Sequence, residues 1–408
     1  MPSDTQPIAV QIGAGNIGRG FMGELFAAAG YRIVFVDTDA TLVDALGSRR
    51  SYQIHHITNE GRETVRIEAA GAVHGRDATA VAETIAGAAL ACTAVGVRSM
   101  AAVASALAAG LARRLSRGGD TLNIITCENL VGAGRHLRDL VWAELERVMA
   151  AGACPAVTFG EFDARFGFVE AVVSRMVPLV PADVRRRDPL WIACEPYARL
   201  PVDATAFRGP PPGIAGLEPV ENILAHQHRK LATHNMSHAV CAYLGYQAGH
   251  ELLWQAMDDT AIAAEVRAAM DETGRALCSR FGFRADGQRT HENDLLHRYR
   301  NRALGDQISR VAADPLRKLG PEDRLIGSAR LCLREGVEPA HLIRGIRAAL
   351  RYDHPADPSA VRLQRMLRAR GREHVLRDRG GHHKGSSHRG TPVNVEVIAR
   401  GGIRQQQL

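Results

Sequence analysis

The stretch His228-Arg-Lys-Leu-Ala-Thr-His-Asn-Met-Ser-His-Ala239 gathers residue types that handle protons. Lys230, Asn235 and His238 are spaced K-x(4)-N-x(2)-H. On an α-helix they fall at about 0°, 140° and 80°, so all three share one broad face. A hydroxyl that is oxidised must lose a proton as hydride leaves. A lysine whose pKa is lowered by burial accepts such a proton. Asn235 then donates to the developing alkoxide, and His238 holds the substrate or tunes the amine. Composition singles out the same lysine. Of the 51 basic residues only Lys230, Lys318 and Lys384 are lysines. Arginine serves wherever a plain positive charge suffices, but it cannot release its proton. From spacing alone the stretch also reads as an ordinary helix with its polar residues toward solvent, and His226, His228 and His234 read as surface residues.

A second constellation opens the chain. Gly13-Ala14-Gly15-Asn16-Ile17-Gly18 follows the apolar run PIAVQI and leads into a helix-like stretch, Phe21 to Ala29, stopped by Gly30. The run YRIVFV then ends at Asp37. G-x-G-x-x-G between a strand and a helix, with an acidic residue about 20 positions on, is the pattern that binds a dinucleotide. Gly13 permits the tight turn, Gly15 lets backbone approach a pyrophosphate, and Gly18 allows helix and strand to pack closely. The helix N-terminus favours negative charge. The expected cofactor contacts are Gly13, Ala14, Gly15, Asn16, Ile17, Gly18, Arg19, Gly20 and Asp37. A carboxylate at Asp37 accepts from ribose hydroxyls and repels a 2′-phosphate, which points to NAD rather than NADP.

These residues need a scaffold, and the chain supplies one. Strands at 88–95 and 122–126 alternate with helices at 100–115 and 131–151, a rhythm that predicts a mostly parallel sheet with helices on both faces. The predicted fold is α/β: a Rossmann-type doubly wound sheet over 1–200, then a mainly helical domain over 201–378. The proline-rich stretch 208–214 reads as a connection, and helices are expected at 222–249, 260–281, 323–336 and 339–349. The last thirty residues, glycine-, serine- and histidine-rich, have little to bury and read as a disordered tail.

Bulk properties narrow the function. The formal net charge is +7, but the basic residues are spread rather than blocked, so an anionic small substrate and a dinucleotide explain the sign as well as nucleic acid does. The seven cysteines form no C-x-x-C pair and read as reduced thiols, with neither a disulfide framework nor a zinc cluster. MPSDTQ lacks the features of a signal peptide, and no apolar stretch reaches membrane-spanning length. The chain therefore reads as cytoplasmic, with no membrane or nucleic-acid partner.

The segments GAGNIGRGF (13–21), SYQIH (51–55), TAVG (93–96), LNIITCENL (122–130), KLATHNMSHA (230–239) and RVAADPLRKLGPEDRLI (310–326) resemble, in order, the long-chain polyol dehydrogenases, and among them those acting on mannitol 1-phosphate. The resemblance runs from about residue 8 to about residue 370. It implies a zinc-independent enzyme that interconverts a sugar-alcohol phosphate, mannitol 1-phosphate, and fructose 6-phosphate with NAD. It implies Lys230 as general base with Asn235 and His238 beside it, and Asn129 at the reacting oxygen. Thr93, Val95 and Gly96 would line the nicotinamide side. The basic stretch from Arg310 to Arg324 suggests a phosphate site, since arginine forks suit phosphate and lysine adds a point charge. Arg310, Arg317, Lys318 and Arg324 are the candidates, together with Arg298, Arg300 or Arg302. The competing reading is a salt-bridged helix start. One departure is Ser174, which stands where the family usually carries an acid before Arg-x-Val-Pro. Two rival functions remain: a dehydrogenase of a free polyol or hexuronate, and a nucleotide-binding sensor without turnover.

Overall fold

The computed structural model describes residues 6–68 and 70–379. The chain forms two compact units, Met1–His226 and Gln227–Leu408. The expected tail over 379–408 lies, but for Arg379, outside the described residues.

Among its described residues the first unit has eleven strands: β1 (Ile8–Ile12), β2 (Arg32–Asp37), β3 (Tyr52–Ile57), β4 (Arg62–Ile67), β5 (Ala70–His74), β6 (Leu90–Thr93), β7 (Leu122–Thr126), β8 (Phe166–Glu170), β9 (Ile192–Cys194), β10 (Leu200–Asp203) and β11 (Leu217–Val220). Six of them build an all-parallel sheet in the order β5-β2-β1-β6-β7-β8. This is the doubly wound order 3-2-1-4-5-6, whose switch point lies between β1 and β6, where ligands bind beyond the strand ends. Strand residues alternate between two cores. Phe166 and Phe168 join Leu107, Leu111 and Leu137 on one face, whereas Ile125 and Val169 join Phe21, Phe26 and Phe35 on the other. The helix Met100–Ser116 runs almost as predicted.

Other elements depart from expectation. Tyr52–Ile57 and Arg62–Ile67 form an antiparallel hairpin that β9 extends, although no strand was read there. The charged, exposed β4 hides its alternation. The proline-rich stretch does not end the first unit. It leads into β11, which pairs with β10, so the division falls after His226 rather than near residue 200.

The second unit is helical. The helix Met236–Gln247 is central and buried along most of its length. It meets neighbours closely: a Cβ at Gly345 would lie 2.6 Å from Val240, and one at Gly245 would lie 2.7 Å from Ala256. Around it stand Thr260–Phe281, Ala285–Tyr299, Ile326–Arg334 and Ala340–Leu350. The single helix expected over 222–249 is broken. Ile223–Arg229 and Met236–Gln247 flank a π-helical segment, Lys230–Asn235. No helix among the described residues is long and apolar enough to cross a membrane.

Candidate active site

In the first unit the turn after β1 is shaped by contact. Gly13 has φ +95°, and its N–H donates to Val36 O at 2.8 Å. A Cβ on Gly18 would sit 1.9 Å from Gly13 O, so only glycine lets this turn and the helical segment approach. Gly15 faces open space, with nothing within 4 Å of an added Cβ. The loop is thus tight behind and open in front, which fits a pyrophosphate. Asp37 ends β2. Its Oδ2 accepts from Ala14 N at 2.7 Å and its Oδ1 from Asp39 N at 2.9 Å.

Two expected contacts face the other way. The Arg19 guanidinium is buried and donates to Ala14 O at 2.6 Å and Leu190 O at 2.8 Å, while Tyr52 Oη donates to Arg19 O. Burial lowers its pKa. Gly20 packs on Ile192, and its carbonyl accepts from Arg175. Arg19 and Gly20 therefore support the loop from behind, which corrects their assignment as cofactor contacts. Asn16 Nδ2 donates to Pro178 O at 3.3 Å.

The TAVG segment is held by a residue that the sequence reading passed over. The Glu128 carboxylate accepts from Val95 N at 2.9 Å and Gly96 N at 2.7 Å. Thr93 is buried at the end of β6, opposite Thr126 on β7. Asn129, next to Glu128, is exposed. The signal for Glu128 was its place in CENL, directly before that asparagine. Ser174 is buried beside Arg175, which bonds Glu24 together with His56. Glu24 thus neutralises this arginine.

In the second unit Lys230 and Asn235 bound the π-helical segment and are half-buried, as is His238. The α-helical angles do not hold here. A π-helix bonds residue i to residue i+5, and Lys230 and Asn235 are five apart, so they stand over one another rather than about 140° apart. His238 Nε2 lies 3.0 Å from Asp306 Oδ2, and its ring stacks on Tyr299 with centroids 5.1 Å apart. Asp306 also receives Arg310 Nε at 2.9 Å. Burial alone would raise the Asp306 carboxyl, but the bonds from His238 and Arg310 hold it below its ordinary value. His234 is buried, not superficial, and burial pushes its pKa well down, so it stays neutral.

The basic stretch is largely the salt-bridged alternative. Arg317 pairs with Asp314 at 3.0 Å and Asp323 at 3.3 Å, and Arg324 pairs with Asp323 at 2.9 Å. Lys318 is buried, donates to Ala313 O, and is pushed down to about 7 by burial. Arg317 and Arg324 already hold carboxylates, and a lysine driven toward neutrality is a weak phosphate ligand, so the geometry favours the salt-bridged reading at these three positions. Arg310 differs in its partner: it pairs with Asp306, the carboxylate that His238 also meets. Arg302 lies over Trp254 and pairs with Asp258, Arg298 pairs with Asp294, and Arg300 donates to Leu296 O.

Below this wall Gln288 donates to Thr233 Oγ1 at 3.1 Å and to Glu292 Oε1 at 2.8 Å, and accepts from Arg229 Nε at 2.8 Å. Gln288 and Glu292 also line a cavity of about 890 Å³. Burial pushes Glu292 from its ordinary 4.5 up to about 7, with Asp271 adding to the rise and Gln288, Arg267 and Arg289 opposing it. A folded pKa above the unfolded one gives stability that is full below about pH 4.5 and is lost as pH rises through about 7. The loss attributable to this group is about 3 kcal/mol. Urea unfolding at a series of pH values should show this slope in the parent, and Glu292→Gln should flatten it. Equal slopes in both would remove Glu292 as its source.

Two family models cover nearly the whole described chain: the mannitol dehydrogenase Rossmann domain matches residues 7–216, and the mannitol dehydrogenase C-terminal domain matches 222–379. The chain belongs to the mannitol dehydrogenase family. Among family relatives, the mannitol-1-phosphate 5-dehydrogenase of Brevibacillus brevis is 40% identical over 369 residues, 90% of this chain and 92% of that one. The enzyme of the same name from Bacillus licheniformis is 37% identical over 374 residues, 91% of this chain and 94% of that one. Among solved structures, Pseudomonas fluorescens mannitol 2-dehydrogenase, in ternary complex with NAD and D-mannitol, superposes with a TM-score of 0.71 at 18% identity, covering 92% of this chain and 86% of that one. A substrate-free D-sorbitol dehydrogenase also gives 0.71, at 16% identity, covering 85% and 80%. These two show that the chain shares their fold.

Proposed function

We propose that this oxidoreductase interconverts mannitol 1-phosphate and fructose 6-phosphate with NAD as coenzyme. The observation that carries the reading is the half-buried group Lys230, Asn235 and His238 on a π-helical turn, with His238 tied to Asp306. Such turns recur at functional sites. The relatives named above, which span nine-tenths of the chain, supply the substrate class. In this reading Lys230 takes the proton of the hydroxyl being oxidised, and returns it to the ketone oxygen in reduction. Asn235 and Asn129 donate to the oxygen as charge develops on it. His238 holds the reacting alcohol, and Arg310 meets the phosphate.

NAD, when bound, supplies the acceptor for the hydride that leaves the carbinol carbon. The chain's part is to hold it. Gly13, Ala14, Gly15, Asn16, Ile17 and Gly18 receive the pyrophosphate, Asp37 the ribose hydroxyls, and Thr93, Val95 and Gly96 the nicotinamide side. Glu128 keeps the last of these loops in place. Glu128→Gln leaves one acceptor for two amides, so NADH affinity should fall by about tenfold, the loss of one charge-assisted bond. Unchanged affinity would remove Glu128 from this role.

The deciding experiment is a screen of fructose 6-phosphate, fructose and fructuronate against NADH and NADPH, followed by coenzyme absorbance. Oxidation of NADH with fructose 6-phosphate far above the other pairs is expected. Preference for fructose or fructuronate would instead place the chain with enzymes of unphosphorylated substrates, and binding of NADH without any turnover would make it a sensor.

A further inference from the structure

A π turn that runs into an α-helix puts backbone hydrogen bonds out of step, and buried carbonyls left over need other donors. Here Met236 N–H meets both Leu231 O and Thr233 O. Thr233 O accepts from Ser237 Oγ at 2.6 Å, and His234 O accepts from Tyr299 Oη at 2.9 Å. The two hydroxyls lie 3.0 Å apart. Both side chains are buried, Ser237 at 0% and Tyr299 at 2% exposure. The Tyr299 ring is also the surface on which His238 stacks, at 14° between planes. One side chain, from the end of Ala285–Tyr299, thus touches the turn bearing Lys230 and Asn235 through its hydroxyl and His238 through its ring.

We propose that Tyr299 is a positioning residue that locks the Lys230–Asn235 turn and the His238 ring into one geometry for proton transfer. The proposal rests on the roles given to Lys230, Asn235 and His238 above. Phenylalanine would fill the same space and keep the stacking. What it lacks is the side-chain donor to His234 O, which Ser237 Oγ approaches only at 3.3 Å. Ser237 already serves Thr233 O, so the turn would relax and Lys230 would shift relative to His238. Small misplacements of this kind cost about tenfold to a hundredfold in rate.

The test compares parent, Tyr299→Phe and Ser237→Ala in fructose 6-phosphate reduction. Tyr299→Phe should lower kcat by about tenfold or more, leave KM and NADH affinity near parental, and raise the isotope effect seen with NADH deuterated at the transferred position. A purely structural role would reduce the folded fraction but leave that isotope effect unchanged. Ser237→Ala, which removes the hydroxyl 3.0 Å from Tyr299 Oη, should shift kcat and isotope effect in the same direction, and Tyr299→Leu, which gives up hydroxyl and ring together, decides the matter if Tyr299→Phe does not fold. Parental kcat and isotope effect in a folded Tyr299→Phe, or in Tyr299→Leu if that must decide, overturns the positioning role alone. Absence of turnover in the parent overturns the functional reading and this proposal together.

Discussion

Replacing Lys230 by alanine is expected to lower kcat by about two to four orders of magnitude, the range for losing a general base, while NADH affinity stays near parental. The two readouts separate because Lys230 belongs to the helical unit and the glycine-rich turn to the other. Lys230→Arg sharpens the result. Arginine keeps the positive charge but cannot give up its proton, so it should be nearly as inactive as alanine. An arginine variant with substantial activity would mean that charge, not proton transfer, is what the position supplies. Equal loss of coenzyme binding in Lys230→Ala would mean that the residue is misassigned. Steady-state kinetics and NADH fluorescence titration suffice for both.

The second large effect concerns coenzyme choice. Asp37→Ala should shift the ratio of kcat/KM for NADH over NADPH toward NADPH by about one to two orders of magnitude, since hydrogen bonds to a charged group are worth about 1.5–3 kcal/mol. The change has two parts. Removing the carboxylate ends the repulsion of a 2′-phosphate. It also frees Ala14 N and Asp39 N, which Asp37 now holds at 2.7 and 2.9 Å, so NADH binding itself should weaken. Asp37→Asn keeps an acceptor without the charge and should retain more NADH affinity than alanine. An unchanged coenzyme ratio in both variants would exclude Asp37 from the ribose site.

The glycine turn was legible because its constraints are local. Gly13 and Gly18 meet each other across five residues and the positive φ of Gly13 is local, although Ala94 O, 2.4 Å from an added Cβ, crowds Gly13 as well. Four of the six strands of the parallel sheet were legible for a similar reason, since they read as apolar runs, whereas β5 and β8 were not read. The π turn was not. Nothing in KLATHN distinguishes it from an α-helix, because the donors to its carbonyls are Ser237 and, 65 residues away from His234, Tyr299. His234 looked superficial because its burial depends on those same neighbours. The phosphate set is a different case. Asp314 and Asp323 stand in the same stretch as Arg317 and Arg324, and their carboxylates were visible beside the arginines as competing partners. Glu128 escaped because its mark in the sequence was only its place beside Asn129, and a carboxylate that grips backbone amides adds no periodicity to it.

A π turn amounts to one extra residue carried within a helix. Winding five residues where an α-helix winds four absorbs that residue on the spot, so the stretches before and after keep their relation. Deleting one residue between Leu231 and His234 would restore ordinary winding without turning Lys230 away from His238. The same deletion inside Met236–Gln247 would rotate all that follows by about 100°. Single-codon deletions should therefore lower folded yield less in this hexapeptide than within the helix that follows it.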